Sequence, residues 1–307
     1  MNKTDKINVA VLLTCHNRRN LTETCIRSMV KAGEKFAGNI ALHFFLTDDA
    51  CTDGTPEAAA DTAGNTPITI IKADGNAFWA GGMRMAWNKA IEFGGFDFYL
   101  LLNDDTEVWD NLFEELLLCD EFARNMYGKQ GIYSGNTAWK HDRAKISFGG
   151  KVAGKGLLKR FVRLQPSGTP QRCDIVNGNI LMVPDSVVKS IGIFPECYIH
   201  GAADNDYGMR ANKRKLPVLI TGGFCGSCDA DNYDYLAEMR KLSAMTIKER
   251  VRYLKFPVRS IHDSMAYSLR WRKSFVLIIP LMRAIQILSP ALYYKIFNLK
   301  RRQDTHE

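Results

Sequence analysis

The chain has 307 residues, 46% hydrophobic and 24% charged, a globular composition that excludes collagen-like and low-complexity classes. Its net charge of +8 is uneven: residues 241–307 carry 14 Lys/Arg against 4 Asp/Glu, which leaves the preceding 240 residues at −2. A near-neutral body argues against a nucleic-acid-binding core, and the basic tail suits an anionic surface such as a membrane.

In chain order, residues 1–6 are polar, so no signal peptide is expected; the scattered cysteines are then read as reduced cytosolic thiols. Ile7 to Leu13 is nearly all apolar and reads as a strand buried on both faces. Asn20 followed by Glu23 resembles a capping box, opening a helix whose apolar face is Leu21, Cys25, Met29 and Ala32. Ile40 to Leu46 is a second strand, followed by Thr47-Asp48-Asp49 and a turn-rich stretch to Thr55. Pro56 suits a helix start, and Ile68 to Ile71 is a β-branched third strand. Asp74-Gly75-Asn76 signals a turn, after which Met83, Ala86, Trp87, Ala90 and Ile91 form a helical stripe. Phe98 to Leu102 is a fourth apolar run, ending in Asn103-Asp104-Asp105. The pattern to residue 110 is β-α-β-α-β-α-β, the mark of a mostly parallel sheet flanked by helices.

Leu112 to Met126 reads as a helix, and Gly131 to Phe148 as irregular with strand-like pieces. Lys151 to Arg163 is a basic loop or hairpin. Ile175 to Val183 is a strand interrupted at Asn177-Gly178-Asn179, and Pro184 opens a helix that Gly192 ends. Ala202 to Asp206 leads into a helix through Arg214, and Pro217 to Thr221 is a further strand. Beyond Gly222 the pattern is helical, which divides the chain into 1–228 and a basic helical extension, 229–307. Within that extension Pro280 breaks the apolar segment Trp271 to Leu288, whose uncharged runs are too short to span a bilayer. The segment suits an interfacial membrane helix or packing on the body, and periodicity does not separate the two.

Four loops, Thr14–Arg18, Asp48–Thr55, Asp74–Gly82 and Asn103–Glu107, fall at strand C-termini, where a parallel sheet places its ligands. Adjacent carboxylates are hard donors suited to Mg²⁺ or Mn²⁺ with a diphosphate. Gly81-Gly82 before a helix lets backbone N–H groups approach an anion, or marks a plain turn. Asp48 and Asp49 read either as ligand contacts or as caps for the next helix. Trp79 reads as a pocket wall or as core. Cys225-Gly-Ser-Cys228 has no second pair and no suitably spaced histidine for zinc, and reads as a plain loop.

Val11-Leu12-Leu13-Thr14-Cys15-His16-Asn17-Arg18, Thr47-Asp48-Asp49-Ala50-Cys51-Thr52-Asp53-Gly54-Thr55, Asn76-Ala77-Phe78-Trp79-Ala80-Gly81-Gly82 and Leu101-Leu102-Asn103-Asp104-Asp105, in this order, resemble the family 2 glycosyltransferases. The resemblance continues through Val176 to Pro184 and Ala203 to Arg210. It implies a GT-A fold and an inverting, metal-dependent hexosyl- or deoxyhexosyltransferase of the bacterial cell-surface polysaccharide type. A UDP- or dTDP-sugar would be the donor, and a hydroxyl of a glycan or lipid-linked glycan the acceptor. The implied cofactor is Mn²⁺ or Mg²⁺, and the implied location the cytoplasm, peripheral at the inner face of the membrane. Position by position, it implies Cys15, His16, Arg18, Asp48, Asp49, Asn76, Trp79, Gly82 and Asp104 at the nucleotide sugar. Asp105 matches the metal-binding acid, with Asn103 replacing the first acid of that motif. Asp204 matches the general base, with Ala203 where the family has Glu. Asn177, Gly178 and Asp206 fall on the acceptor side, Asp206 being the rival base; Arg160 and Arg163 would face an anionic acceptor. Competing readings are a nucleotide-sugar-binding protein without transferase activity and a nucleotidyltransferase. The latter wants a Gly-rich loop after the first strand, which Thr14–Arg18 lacks. A dinucleotide oxidoreductase is unsupported, since no Gly-X-Gly-X-X-Gly follows a strand.

Overall fold

A computed structural model describes residues 6–36, 39–154, 161–229 and 234–296. The chain divides into two compact units, Met1–Glu196 with Ala203–Ala230, and Cys197–Ala202 with Asp231–Glu307. Residues 197–202 belong with the C-terminal unit because the Asp263 carboxylate accepts the backbone N–H groups of Ile199, His200 and Gly201 at 2.7–3.0 Å.

The first unit opens β1 (Ile7–Cys15), α1 (Arg19–Glu34), β2 (Ile40–Asp49), α2 (Thr55–Ala63), β3 (Ile68–Ala73), α3 (Phe78–Phe93), β4 (Phe98–Leu102) and β5 (Glu107–Val108). It continues with α4 (Leu112–Tyr127), β6 (Ile132–Ala138), β7 (Ile146–Phe148), β8 (Lys151–Ala153), β9 (Phe161–Arg163), β10 (Gln171–Arg172), β11 (Ile180–Pro184), α5 (Asp185–Ile191), α6 (Ala203–Lys213) and β12 (Val218–Ser227). The principal sheet runs β10-β12-β6-β11-β4-β1-β2-β3. Its β4-β1-β2-β3 half is parallel throughout, as the alternation with helices predicts. Beyond β4, the strand β11 is antiparallel to both β4 and β6, while β12 returns parallel to β6. The apolar runs fill a core of Val9, Val11 and Leu13 with Phe44, Leu46, Leu100 and Leu102, covered by Cys25, Ile26 and Met29 of α1.

Several local expectations are corrected. Helix α1 starts at Arg19 after an Arg18 cap position, so no capping box forms; Glu23 instead accepts from Arg19 Nε at 2.9 Å. Thr22 and Ile26 join the buried face of α1, and Leu21 is exposed. The stretch read as irregular contains β6, a fully buried central strand despite Ser134, Asn136 and Thr137. These residues bond within the fold: Asn136 Nδ2 donates to the Thr221 carbonyl, and the Thr137 and Ser147 hydroxyls bond each other. Strand β12 runs on to Ser227, so Cys225 is a strand residue and not part of a loop. Pro184 closes β11 and caps α5 from outside. The basic stretch forms the β8–β9 hairpin, with Lys151 opposite Arg163; Arg160 lies outside the described residues.

In the second unit, α7 (Tyr235–Ala244), α8 (Ile247–Leu254), α9 (His262–Trp271) and α10 (Ile278–Leu288) follow one another. Thr246 and Glu249 form a true capping box at α8. Pro280 does not break the segment: it lies in the first turn of α10, where a missing N–H costs nothing. Among the described residues no helix is long and apolar enough to cross a membrane.

Candidate functional site

Because β1 to β4 are parallel, their C-terminal ends share one edge, and the four loops meet there. His16 Nδ1 lies 2.5 Å from the Asp49 carbonyl, which can only accept, so this nitrogen carries the proton. Asn17 Oδ1 accepts from the Thr52 amide at 2.7 Å. Arg18 reaches across to both acids after β4, with Nη1 2.9 Å from Asp104 Oδ1 and Nη2 2.7 Å from Asp105 Oδ2. Trp79 Nε1 donates to Asn103 Oδ1 at 2.7 Å. Asn17, Ala50 and Phe78, all in these loops, hold φ between 50° and 56°. Such left-handed conformations cost non-glycine residues about 1–3 kcal/mol each and tend to cluster where loops are shaped for a ligand.

The two acids after β4 are unequal. Asp104 is buried, and burial pushes its carboxyl up to about 7 against the opposing pull of Arg18. Its Oδ2 is enclosed beside the Thr22 hydroxyl. Asp105 retains 22% side-chain exposure, and its Oδ1 lies 3.4 Å from Cys228 Sγ. Cys228 was missed by sequence reasoning. It lies 123 residues from Asp105, and only the pairing of β12 with β5 brings the two together.

The turn before β11, Asn177-Gly178-Asn179, meets a further acid, Asp204, which follows β11 in sequence. Asp204, in the first turn of α6, accepts from the Gly178 amide at 3.0 Å through Oδ2 and from the Asn205 amide at 2.7 Å through Oδ1. Burial raises its pKa above the usual carboxylate range, outweighing these two bonds and the attraction of Lys151. Gly178 is required here by contact: an added Cβ would lie 2.4 Å from Trp79 Cζ2. Trp79 thus packs on Gly178 while bonding Asn103, which ties the segment after β4 to the Asp204 side through one ring. Lys151, a second residue that sequence reasoning did not single out, titrates low through burial and the neighbouring Arg163 charge.

Other expected site residues fall differently. Asp206 is fully buried within α6, so it does not face the cleft as an acceptor contact or rival base. Gly82 is not at a helix start; α3 begins at Phe78, and Gly82 lets the helix approach Thr14, whose Oγ1 would lie 2.1 Å from an added Cβ. The first amides of α3, from Ala77 and Phe78, are taken by both oxygens of Asp49 at 3.0 and 2.9 Å. Asp49 therefore caps α3 and not α2, a role that uses two of its lone pairs. Asp48 Oδ1 accepts from the Cys51 amide at 2.8 Å. Cys15 is buried beneath the exposed His16, its thiol donating to the Thr47 carbonyl at 3.7 Å. Asn76 is exposed in an Asp74-initiated turn, and Asn177 Oδ1 holds the Asn179 amide at 2.8 Å.

The model of the family described as Glycosyl transferase family 2 matches residues 10–180. Among solved structures, residues 1–349 of S. aureus TarS in complex with UDP-GlcNAc are 12% identical, with a TM-score of 0.53 over 92% of this chain and 81% of that one. The mannosyltransferase PcManGT from Pyrobaculum calidifontis, in complex with GDP-Man and Mn²⁺, is 13% identical, with a TM-score of 0.51 over 98% of this chain and 81% of that one. At such identities the likeness is one of fold. No curated protein matches the chain.

Proposed function

From the premise that the chain belongs to glycosyl transferase family 2, we propose an inverting transfer of a sugar from a UDP- or dTDP-sugar to a hydroxyl of a glycan or lipid-linked glycan in cell-surface polysaccharide synthesis. The observation that carries this reading is that the segment with Asp104/Asp105 after β4 and the acid Asp204 are linked through Asn103, the Trp79 ring and Gly178. The fold neighbours bound to UDP-GlcNAc and GDP-Man support a nucleotide-sugar donor.

Asp204 takes the proton of the acceptor hydroxyl. Burial makes it a stronger base than a solvated carboxylate, and its two amide contacts fix its orientation. The deprotonated oxygen then attacks the anomeric carbon opposite the departing nucleoside diphosphate, and the configuration inverts. Lys151 and Arg163, held opposite one another on the β8–β9 hairpin, suit an acceptor that carries negative charge.

The residues after β4 fit a divalent cation. Two carboxylates converge there, and Arg18, bridging both, acts as an internal stand-in for a positive charge. Asp105, the more accessible acid, would hold Mn²⁺ or Mg²⁺, which supplies charge neutralisation at a diphosphate. Arg18 and a cation would compete for the same carboxylate oxygens, so holding the cation would require Arg18 to release Asp105. The PcManGT complex contains Mn²⁺, which accords with this assignment.

Leu277, Leu281 and Leu288 are exposed at the start, middle and end of the α10 region, beside the basic charge of the tail. This combination suits peripheral contact with an anionic leaflet on the cytoplasmic side. Salt-sensitive co-sedimentation with anionic vesicles, absent for neutral ones, is the expected behaviour; equal recovery with both removes the membrane contact.

The decisive experiment is a thermal-shift screen of nucleotide sugars with Mn²⁺, followed by transfer from the selected donor. Selective stabilisation by one donor is expected by mass action. A flat response to every donor would favour a chain that kept the fold without the reaction.

A further inference from the structure

Cys15, Asp48 and Cys51 meet at the ends of β1 and β2, with one potential ligand atom from each lying within 4.8 Å of the others. The two sulfurs are 3.7 Å apart and unbonded. Two thiolates bound to one tetrahedral Zn²⁺ at ~2.3 Å must lie about 3.8 Å apart, so the sulfurs already have the required separation. Supporting bonds are present as well. The Asn17 amide donates to Cys51 Sγ at 3.3 Å, and the Cys51 amide orients Asp48 through Oδ1 at 2.8 Å. Amide donors to a thiolate and to a ligating carboxylate are the kind of outer contact that fixes metal ligands and offsets their charge.

We propose that Cys15, Cys51 and Asp48 form a site for a thiophilic divalent cation of the Zn²⁺ or Cd²⁺ type. It is separate from the hard-donor acids after β4. Two sulfurs and one oxygen make a soft to borderline donor set that selects zinc or cadmium over magnesium and manganese. The three protein ligands leave a fourth position for water or another small ligand. Binding converts two S–H groups and one cation into two metal–thiolate bonds and two released protons, with no change of oxidation state. Among the described residues Cys225 and Cys228 do not form a rival site of this kind, since only Cys15, Asp48 and Cys51 bring three such ligand atoms together.

The test uses the reduced, metal-free full chain titrated with Cd²⁺, following the ultraviolet sulfur-to-cadmium charge-transfer band and the protons released. One equivalent of Cd²⁺ should saturate the band with two thiolates per ion, and Zn²⁺ should displace it while Mg²⁺ does not. Cys15→Ser and Cys51→Ser should each weaken binding about 100-fold or more, since loss of a ligand exceeds loss of an outer contact. The paired Cys225→Ser/Cys228→Ser variant should keep the band. A wild-type chain without the band, or a band that survives in Cys15→Ser/Cys51→Ser, overturns the site. Wild-type stoichiometry and the Cys225/Cys228 control decide the matter even if a Cys15 variant folds poorly. The readout does not depend on donor binding, so failure of the transferase reading would leave it intact.

Discussion

Gly178→Ala tests whether the two halves of the cleft are mechanically coupled. Gly178 does not have a positive φ, so alanine fits the backbone, and the effect comes from contact alone. The added Cβ would lie 2.4 and 2.6 Å from Trp79 Cζ2 and Cη2, roughly 1 Å inside ordinary contact, and 3.6 Å from Asp204 Cβ, which is harmless. Overpacking of this size costs about 1–3 kcal/mol. Displacing the ring also strains the 2.7 Å Trp79–Asn103 bond, worth about 1 kcal/mol. Reduced freedom of the unfolded chain returns about 0.4–1 kcal/mol. The expected net loss is therefore about 1–3 kcal/mol. Trp79→Phe removes the clashing edge of the indole, so the double variant should recover about 1–2 kcal/mol relative to the sum of the singles. Urea midpoints for the four proteins, read by far-ultraviolet circular dichroism, give the cycle. Turnover should fall in Gly178→Ala and partly return in the double variant. Strict additivity of the four stabilities would refute the contact argument.

Asp204→Asn should leave donor affinity near wild type in calorimetry while turnover drops about 10²–10⁴-fold, the usual contribution of a general base; retained turnover would remove Asp204 from that role. Because burial raises the Asp204 pKa, kcat/KM should decline on the acid side from above the ordinary carboxylate range, and a pH profile that stays flat there contradicts the assignment. The same shift disfavours the charged form in the fold. Its stabilising contribution is thus fully present below the unfolded pKa and is lost as pH rises through the folded one. Asp204→Asn should accordingly gain stability relative to wild type in alkaline denaturation series but not near pH 3. Asp105→Ala should abolish Mn²⁺-dependent binding of the nucleoside diphosphate; unchanged metal-dependent affinity would dismiss Asp105 as the ligand.

The parallel half of the sheet was legible because its strands are mostly apolar and β-branched and the helices carry stripes at helical spacing. Strand ends were less so. β1 continues through Thr14-Cys15 and β2 through Thr47-Asp48-Asp49, since polar residues at the sheet edge still pair with neighbouring strands. β6 was legible only as a strand-like piece because Ser134, Asn136 and Thr137 replace its apolar pattern, and Thr221, which partners Asn136, lies 85 residues away. The site divides in the same way. The pair Asp104 and Asp105 stands out from local pattern and Asp204 from the family resemblance, whereas the burial of Asp206, the Cys228 contact and the capping of α3 by Asp49 depend on how distant segments pack. Gly82 shows how one residue type serves two purposes: the same glycine suits an anion-binding turn or a close approach to Thr14, and only the helix boundary separates them.

The antiparallel pairing of β11 with β4 has a consequence for how the molecule is made. It sets Ile180 beside Leu102, 78 residues earlier, and the Asn103 amide bonds the Asn179 carbonyl at 3.1 Å. Closing a loop of that length costs about 4 kcal/mol of chain entropy, roughly 1 kcal/mol more than the β1–β2 or β2–β3 steps and about as much as the pairing of β4 with β1. The loops after β1 to β4 lie within the first 108 residues, whereas Gly178 and Asp204 follow only with β11 and α6. A growing chain would then carry Asp104 and Asp105 before Asp204 has been made, and their coming together marks a finished fold.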